Sequence, residues 1–109
     1  MHELSITRNI VAIVSERAHG AKVTRVTLEI GQLSAVVPDA IRFCFDVVAK
    51  GTVLEGARLD VVEVPGRGRC RDCGQAVELH QVIARCPCGS PNLDRLSGEE
   101  LTIKQMVTA

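Results

Sequence analysis

Apolar positions recur along this chain with two different periods. Leu4, Ile6, Ile10, Val11, Ile13, Val14 and Ala18 fall near helical spacing, and His19-Gly20 follows, where glycine can cap a helix C-terminus. This spacing predicts a helix over residues 4–18. Val26, Leu28 and Ile30 alternate with Thr27 and Glu29, the pattern of a half-buried strand closed by Gly31. Pro38 stands where a missing N–H costs nothing and opens a second predicted helix, with Ile41, Phe45 and Val48 at helical spacing and Gly51 as its stop. Residues 57–64 read as a second strand with Leu59 and Val61 on one face. Leu101 and Ile103 alternate with Thr102 and Lys104 in a third strand, too short to fold alone and expected to rejoin the sheet begun by residues 23–30.

Between Pro65 and Leu96 the composition shifts to Gly, Arg, Cys and Pro, with only Val77, Leu79, Val82 and Ile83 as a short apolar patch. Two close cysteine pairs lie here, Cys70-x-x-Cys73 and Cys86-Pro-Cys88, separated by twelve residues. A short hairpin can bring four such thiolates onto one tetrahedral ion, and zinc is the default occupant. Gly74 and Gly89 follow the two pairs, where a positive φ lets the turn aim backbone N–H groups back at the sulfurs. The predicted fold class is α+β: two helices with a three-stranded sheet, plus an inserted zinc-ribbon-like subdomain.

Other uses of these cysteines fit less well. Structural disulfides need an oxidising compartment. Residues 1–6 lack the basic-then-apolar pattern of a secretory leader, and no apolar run approaches the ~20 residues that span a membrane, so a cytoplasmic location is expected. A thioredoxin-like redox pair would sit between a strand and a helix of a βαβ unit, which Cys70-Arg-Asp-Cys73 does not. Merely buried thiols do not suit polar, Gly-containing surroundings. Cys44, within the apolar helical run Arg42-Phe-Cys-Phe-Asp46, does read as a buried thiol.

With 109 residues, 46% of them hydrophobic, and a formal net charge of zero, the chain has room for one modest domain plus an appendage and no charge-driven partner. Two phenylalanines and no tyrosine or tryptophan make the core aliphatic. A metal staple would help a segment too short to bury a core of its own.

The opening Met1-His2-Glu3 offers different chemistry. A free α-amine, the amide nitrogen of residue 2 and its imidazole form fused chelate rings suited to square-planar Ni(II) or Cu(II), with Glu3 or a partner's group able to fill the fourth position. Binding displaces protons, so affinity should fall as pH drops. A three-residue motif specifies little alone; its weight comes from abutting an amphipathic helix in a chain that also carries a four-cysteine site.

Met1-His2-Glu3-Leu4-Ser5, Arg42-Phe-Cys-Phe-Asp46, Gly51-Thr-Val-Leu-Glu-Gly-Ala57, the cysteine pairs and Glu99-Glu-Leu-Thr-Ile103, in that order over nearly the whole length, resemble the HypA/HybF family of hydrogenase nickel-insertion proteins. The resemblance implies a metallochaperone delivering nickel to the large-subunit precursor of a nickel-iron hydrogenase, together with the accessory GTPase HypB. It implies nickel on His2 and Glu3, beside the Met1 amine, and structural zinc on Cys70, Cys73, Cys86 and Cys88. The change of composition between Pro65 and Leu96 divides the chain into an α+β domain, 1–65 with 97–109, expected to bind nickel, and an inserted zinc domain, 66–96. The family's second pair is commonly Cys-Pro-x-Cys, one residue longer than here; His80, between the pairs, is the one available substitute ligand, and four thiolates already satisfy zinc. His19 reads as a cation favoured by a helix C-terminus. The non-local third strand permits strand exchange between two copies, which would give a homodimer.

The rival from another class is a zinc-ribbon nucleic-acid module, prompted by Arg67, Arg69, Arg71 and Arg85 around the cysteines. A four-thiolate zinc site carries about two negative charges that nearby guanidinium groups offset. Overall neutrality and the lack of Tyr and Trp remove phosphate attraction and most stacking surfaces. An enzyme is not indicated either: no Ser-His-Asp set, paired carboxylates or phosphate loop is present, and a four-thiolate zinc has no open position for water.

Overall fold

A computed structural model describes residues 3–109, so Met1 and His2 lie outside the described residues. Its elements are α1 (Glu3–Ala18), β1 (Val23–Gly31), α2 (Pro38–Val48), β2 (Arg58–Val64), β3 (Gly66–Cys70), β4 (Ala76–Leu79), β5 (Leu93–Ser97) and β6 (Leu101–Thr108). They form two three-stranded sheets, ordered β2-β1-β6 and β4-β3-β5. The last strand does return beside β1, as its alternation predicted. The chain gathers into two compact units: the described residues up to Leu28 with Val36–Val62 and Thr102–Ala109, and Glu29–Ala35 with Glu63–Leu101.

The first unit is built on the packing of α1 with α2. The buried face of α1 is Thr7, Ile10, Val11, Val14 and Ala18, residues one turn apart that trace one stripe. Leu4 and Ile13, which share the apolar pattern in sequence, are largely exposed, and Thr7 takes the inward position instead. Its hydroxyl donates to the Glu3 carbonyl one turn earlier at 2.6 Å, so a polar side chain is buried without an unpaired donor. His19 (φ 50°) and Gly20 (φ 84°) together reverse the chain after α1.

Pro38 lies in the first turn of α2, as expected, and no side chain caps that end. The Val37 N–H, just before the helix, donates to the Glu3 carboxylate at 3.3 Å. Ile41, Phe45 and Ala49 are the buried residues of this stretch, and Val23, Val26 and Leu28 of β1 are buried in the same unit. Cys44 is only half-buried, not a core thiol: one residue before Phe45, it is turned about 100° away from the packed face. On the sheet, Asp60 is paired with Arg25 at 2.6 Å and Arg58 at 2.8 Å, and the Arg58 hydrogen bond, with both guanidinium charges, holds its carboxyl below the usual range.

Phe45 is the largest fully buried side chain and is 2% exposed. Phe45→Ala is expected to destabilise the first unit by about 3–5 kcal/mol through lost transfer energy and an unfilled cavity. Denaturant unfolding monitored by far-UV circular dichroism checks this; a loss under about 1 kcal/mol would mean that the site collapses around the truncation.

The second unit has a sheet that the hydrophobic pattern does not announce. β3 reads Gly-Arg-Gly-Arg-Cys, and its inward positions are Gly66, Gly68 and Cys70. A Cβ on Gly68 would stand 3.0 Å from Leu79 Cδ1, so the leucine on β4 fills the space that a side chain on β3 would occupy. β3 pairs antiparallel with β4 (Gly68↔Val77) and with β5 (Gly68↔Arg95), with an irregularity between Arg67 and Gly68. Of the apolar patch, only Leu79 is buried, while Val82 and Ile83 are exposed.

Candidate metal centre

The four thiols are brought together by two tight turns. After β3, residues 70–74 fold back so that the Gly74 N–H reaches the Cys70 carbonyl at 2.9 Å; in the second turn the Gly89 N–H reaches the Cys86 carbonyl at 2.8 Å. Gly74 (φ 78°) and Gly89 (φ 95°) are both left-handed, as their positions after the pairs predicted. The Cys73 N–H points at Cys70 Sγ at 3.5 Å.

The two turns share a brace that sequence reading did not isolate. Arg69, just before the first pair, donates to the Gly74 carbonyl at 2.9 Å, and Arg85, just before the second, donates to the Gly89 carbonyl at 3.0 Å. The signal was present: an arginine precedes, and a glycine follows, each pair. Asp72 links the turns by accepting from the Ser90 hydroxyl and from the Asn92 side-chain amide at 3.1 Å. Those two bonds, Ser90 first, hold its carboxyl below the usual range. Arg71 pairs with Asp94 at 3.2 Å. Three of the four arginines around the cysteines are thus occupied in bracing the unit, which weakens the case for a phosphate-binding surface.

All four Sγ atoms lie within 4.8 Å of one another, with Cys70 to Cys88 at 3.7 Å and Cys73 to Cys86 at 3.6 Å. Zn–S bonds of ~2.3 Å in a tetrahedron place sulfurs about 3.8 Å apart. The residues therefore fit a structural zinc ion, and Cys88 sits in the cluster despite its shortened spacing. Cys70 and Cys86 are buried and Cys73 and Cys88 exposed. His80 is exposed, 3.8 Å from Glu78, and outside the cluster.

The four thiols do not share one acidity. The Cys73 N–H, with the Asp72 N–H and neighbouring thiols, pulls Cys70 down to about 6. Against the pull of the Cys88 N–H, burial and the surrounding thiols push Cys86 up to about 12. Cys73 is also raised, burial and the Cys70 and Cys88 sulfurs outweighing the Gln75 N–H and the Cys86 thiol. At neutral pH Cys70 is largely thiolate while Cys73 and Cys86 keep their protons. Loading zinc must expel those protons, so affinity falls as pH falls. Zinc titrations at pH 7 in buffers of different ionisation enthalpy should report proton release from at least these two thiols; buffer-independent heats would contradict the coupling.

Residues 1–108 match the model of the family described as HypA: Hydrogenase/urease nickel incorporation, metallochaperone. The chain belongs to the HypA family. It is 61% identical over 106 residues to a protein of Nostoc punctiforme named Hydrogenase maturation factor HypA, covering 97% of this chain and 94% of that protein. Its fold is similar to that of the solution structure of HypA protein, with a TM-score of 0.73, 25% identity, and 100% and 97% of the two chains covered. It is also similar to the Ni metallochaperone HypA of Helicobacter pylori, with a TM-score of 0.68, 24% identity, and 99% and 97% covered. This agrees with the HypA/HybF resemblance and with the α+β fold carrying a four-cysteine ribbon. Of the residues expected to hold nickel, Met1 and His2 lie outside the described residues; Glu3 is the first residue of α1, its carboxylate against the Val37 N–H.

Proposed function

We propose that this HypA-family protein carries Ni(II) at its amino terminus and delivers it to the metal centre of a nickel-iron hydrogenase during maturation. Nickel would be held by the Met1 amine and by His2 through its imidazole and amide nitrogen, with Glu3 in the remaining position. Zinc would be structural on Cys70, Cys73, Cys86 and Cys88, a closed site with no position for water, so the chain itself is not an enzyme. The nickel-binding domain is 1–65 with 97–109 and the zinc domain 66–96.

The observation that carries the reading is the match to the nickel-incorporation family over residues 1–108. The chemistry of the two donor sets supports it. Four soft thiolates in a closed cluster retain an ion, whereas a terminal amine and imidazole form an open site from which an ion can be passed on. The acceptor is the hydrogenase large-subunit precursor, the accessory GTPase HypB works alongside, and two copies joined by exchange of β6 form the homodimer. No described helix is long and apolar enough to cross a membrane, and the cytoplasm is the proposed location. A cell lacking its own HypA-family protein provides the test: this chain should restore hydrogenase activity and His2→Ala should not. Full restoration by His2→Ala would overturn the assignment of nickel to the amino terminus.

A further inference from the structure

We propose that Gln75 is a positioning residue for the metal centre: its side-chain amide spans the two cysteine turns, touching one sulfur of each, and donates to both when zinc is held. The inference rests on the zinc reading of the four thiols and adds a fifth residue to that site. The Gln75 Oε1 atom lies 4.0 Å from Cys73 Sγ and 3.9 Å from Cys86 Sγ, one sulfur from each pair. Those two sulfurs are themselves 3.6 Å apart, so the amide sits astride one edge of the cluster.

The backbone fixes it there. Gln75 follows Gly74, whose left-handed φ of 78° turns the chain, and its carbonyl accepts from the Cys70 N–H at 2.9 Å. Its own N–H lies beside Cys73 Sγ. With both backbone polar groups tied to the first pair, Gln75 carries its side chain across to the second. Neighbouring groups are engaged elsewhere: Arg69 and Arg85 are directed at the Gly74 and Gly89 carbonyls, and Asp72 is bonded to Ser90 and Asn92.

Chemistry gives the sense of the bonds. A thiol donates weakly through its S–H, and an amide oxygen facing two sulfurs accepts from it. A thiolate ligand has no proton to give and only accepts. The oxygen and the NH2 of a glutamine are alike in shape, so a half-turn about the last side-chain bond presents Nε2–H to the same two sulfurs. Four thiolates on one zinc carry about two negative charges, and an N–H aimed at a sulfur draws off part of that charge. A carboxylate of the same shape would instead repel the thiolates. Groups that hold metal ligands in this way set affinity by about 10–100-fold.

The test compares the full zinc-loaded chain with Gln75→Glu, which keeps the shape and removes the donors, and Gln75→Met, which keeps the length and removes the polarity. Zinc passed to a colour-forming chelator gives the release rate, and the sulfur-to-metal charge-transfer band of the Co(II)-loaded forms reports on the sulfurs themselves. The expected result is release faster by about tenfold or more in Gln75→Glu and by a smaller factor in Gln75→Met. The Co(II) band of Gln75→Met should move to longer wavelength, because a sulfur lone pair that loses its N–H donor rises in energy. A Gln75→Glu chain that holds no metal at all is the extreme of the expected result, and the Gln75→Met band then decides alone. Native release rates in both variants would overturn the proposal. So would faster release from Gln75→Met with an unmoved band, since the side chain would then only pack. If the native chain takes up no zinc, the zinc reading fails and this role falls with it, a result distinct from firm zinc binding that neither variant disturbs.

Discussion

Cys86→Ser is expected to strip the metal from the four-thiol cluster and unfold residues 63–101 while α1 and α2 stay folded. The second unit has few apolar side chains of its own: Ile30, Leu33 and Leu79 are its buried aliphatics, and Cys70 and Cys86 are its other buried apolar residues. At ~1.5–3 kcal/mol for each aliphatic side chain, that burial does not offset the ordering of a segment of this length. The missing stability must come from the ion, for which apparent contributions of ~10–16 kcal/mol are typical of small zinc-dependent folds. Removing one thiolate also leaves the buried centre of the cluster open to water. The bonds that join the turns, Asp72 to Ser90 and Asn92, and the arginine braces at Gly74 and Gly89 depend on those turns and should be lost with them. Amide hydrogen exchange checks this directly: protection should vanish across β3, β4 and β5 and persist in α1 and α2. Retained protection in β3 would show that the unit folds without its ion.

The second large effect falls on a glycine. Gly31→Ala is expected to cost more than about 4 kcal/mol, because a Cβ there would stand 2.0 Å from the Gly98 carbonyl oxygen and 2.1 Å from its carbon, both backbone atoms. Neither can swing aside. The Gly31 N–H bonds the Glu100 carbonyl at 2.7 Å and the Leu33 N–H bonds the Gly98 carbonyl at 2.7 Å, locking the two backbones at that distance. On its other side, Gly98 (φ 114°) faces the Gly66 Cα at 2.7 Å and Leu33 Cδ1 at 2.9 Å from where its own Cβ would stand. Gly20→Ala is the control, since a Cβ there meets nothing within 4 Å and only the left-handed backbone, at about 1 kcal/mol, opposes it. Denaturant midpoints of the two variants decide the matter: a Gly31→Ala variant no less stable than Gly20→Ala would mean that the junction can open without cost.

These two sites mark what the sequence disclosed and what it did not. Elements that bury a stripe of their own aliphatic residues were legible: α1, β1, α2 and β2 fall within a residue or two of their predicted bounds because Ile10, Val26, Ile41 and their neighbours repeat with the period of the element. The cysteine spacing was legible for the same local reason, each pair and its glycine forming one turn. β3 was not, because its inward positions are glycines filled from outside by Leu79 and Leu33, leaving no hydrophobic period to read. Residues 29–35 likewise join the second unit through the close approach of Gly31 to Gly98, a contact between positions 67 residues apart in sequence that no local pattern encodes. Thr7 took an inward place that its polarity argues against, and Cys44 gave one up, since the final rotation of each helix is set by its neighbour rather than by its own composition.

Nickel binding at the amino terminus is the claim on which the functional account turns, and isothermal titration of three zinc-loaded forms tests it: the native chain, a chain extended by one glycine before Met1, and His2→Ala. The account predicts that the native chain binds Ni(II) and that both altered forms lose it while keeping zinc, because the extension moves the amine out of the chelate and the substitution removes the imidazole. Undiminished nickel binding in both altered forms would contradict it.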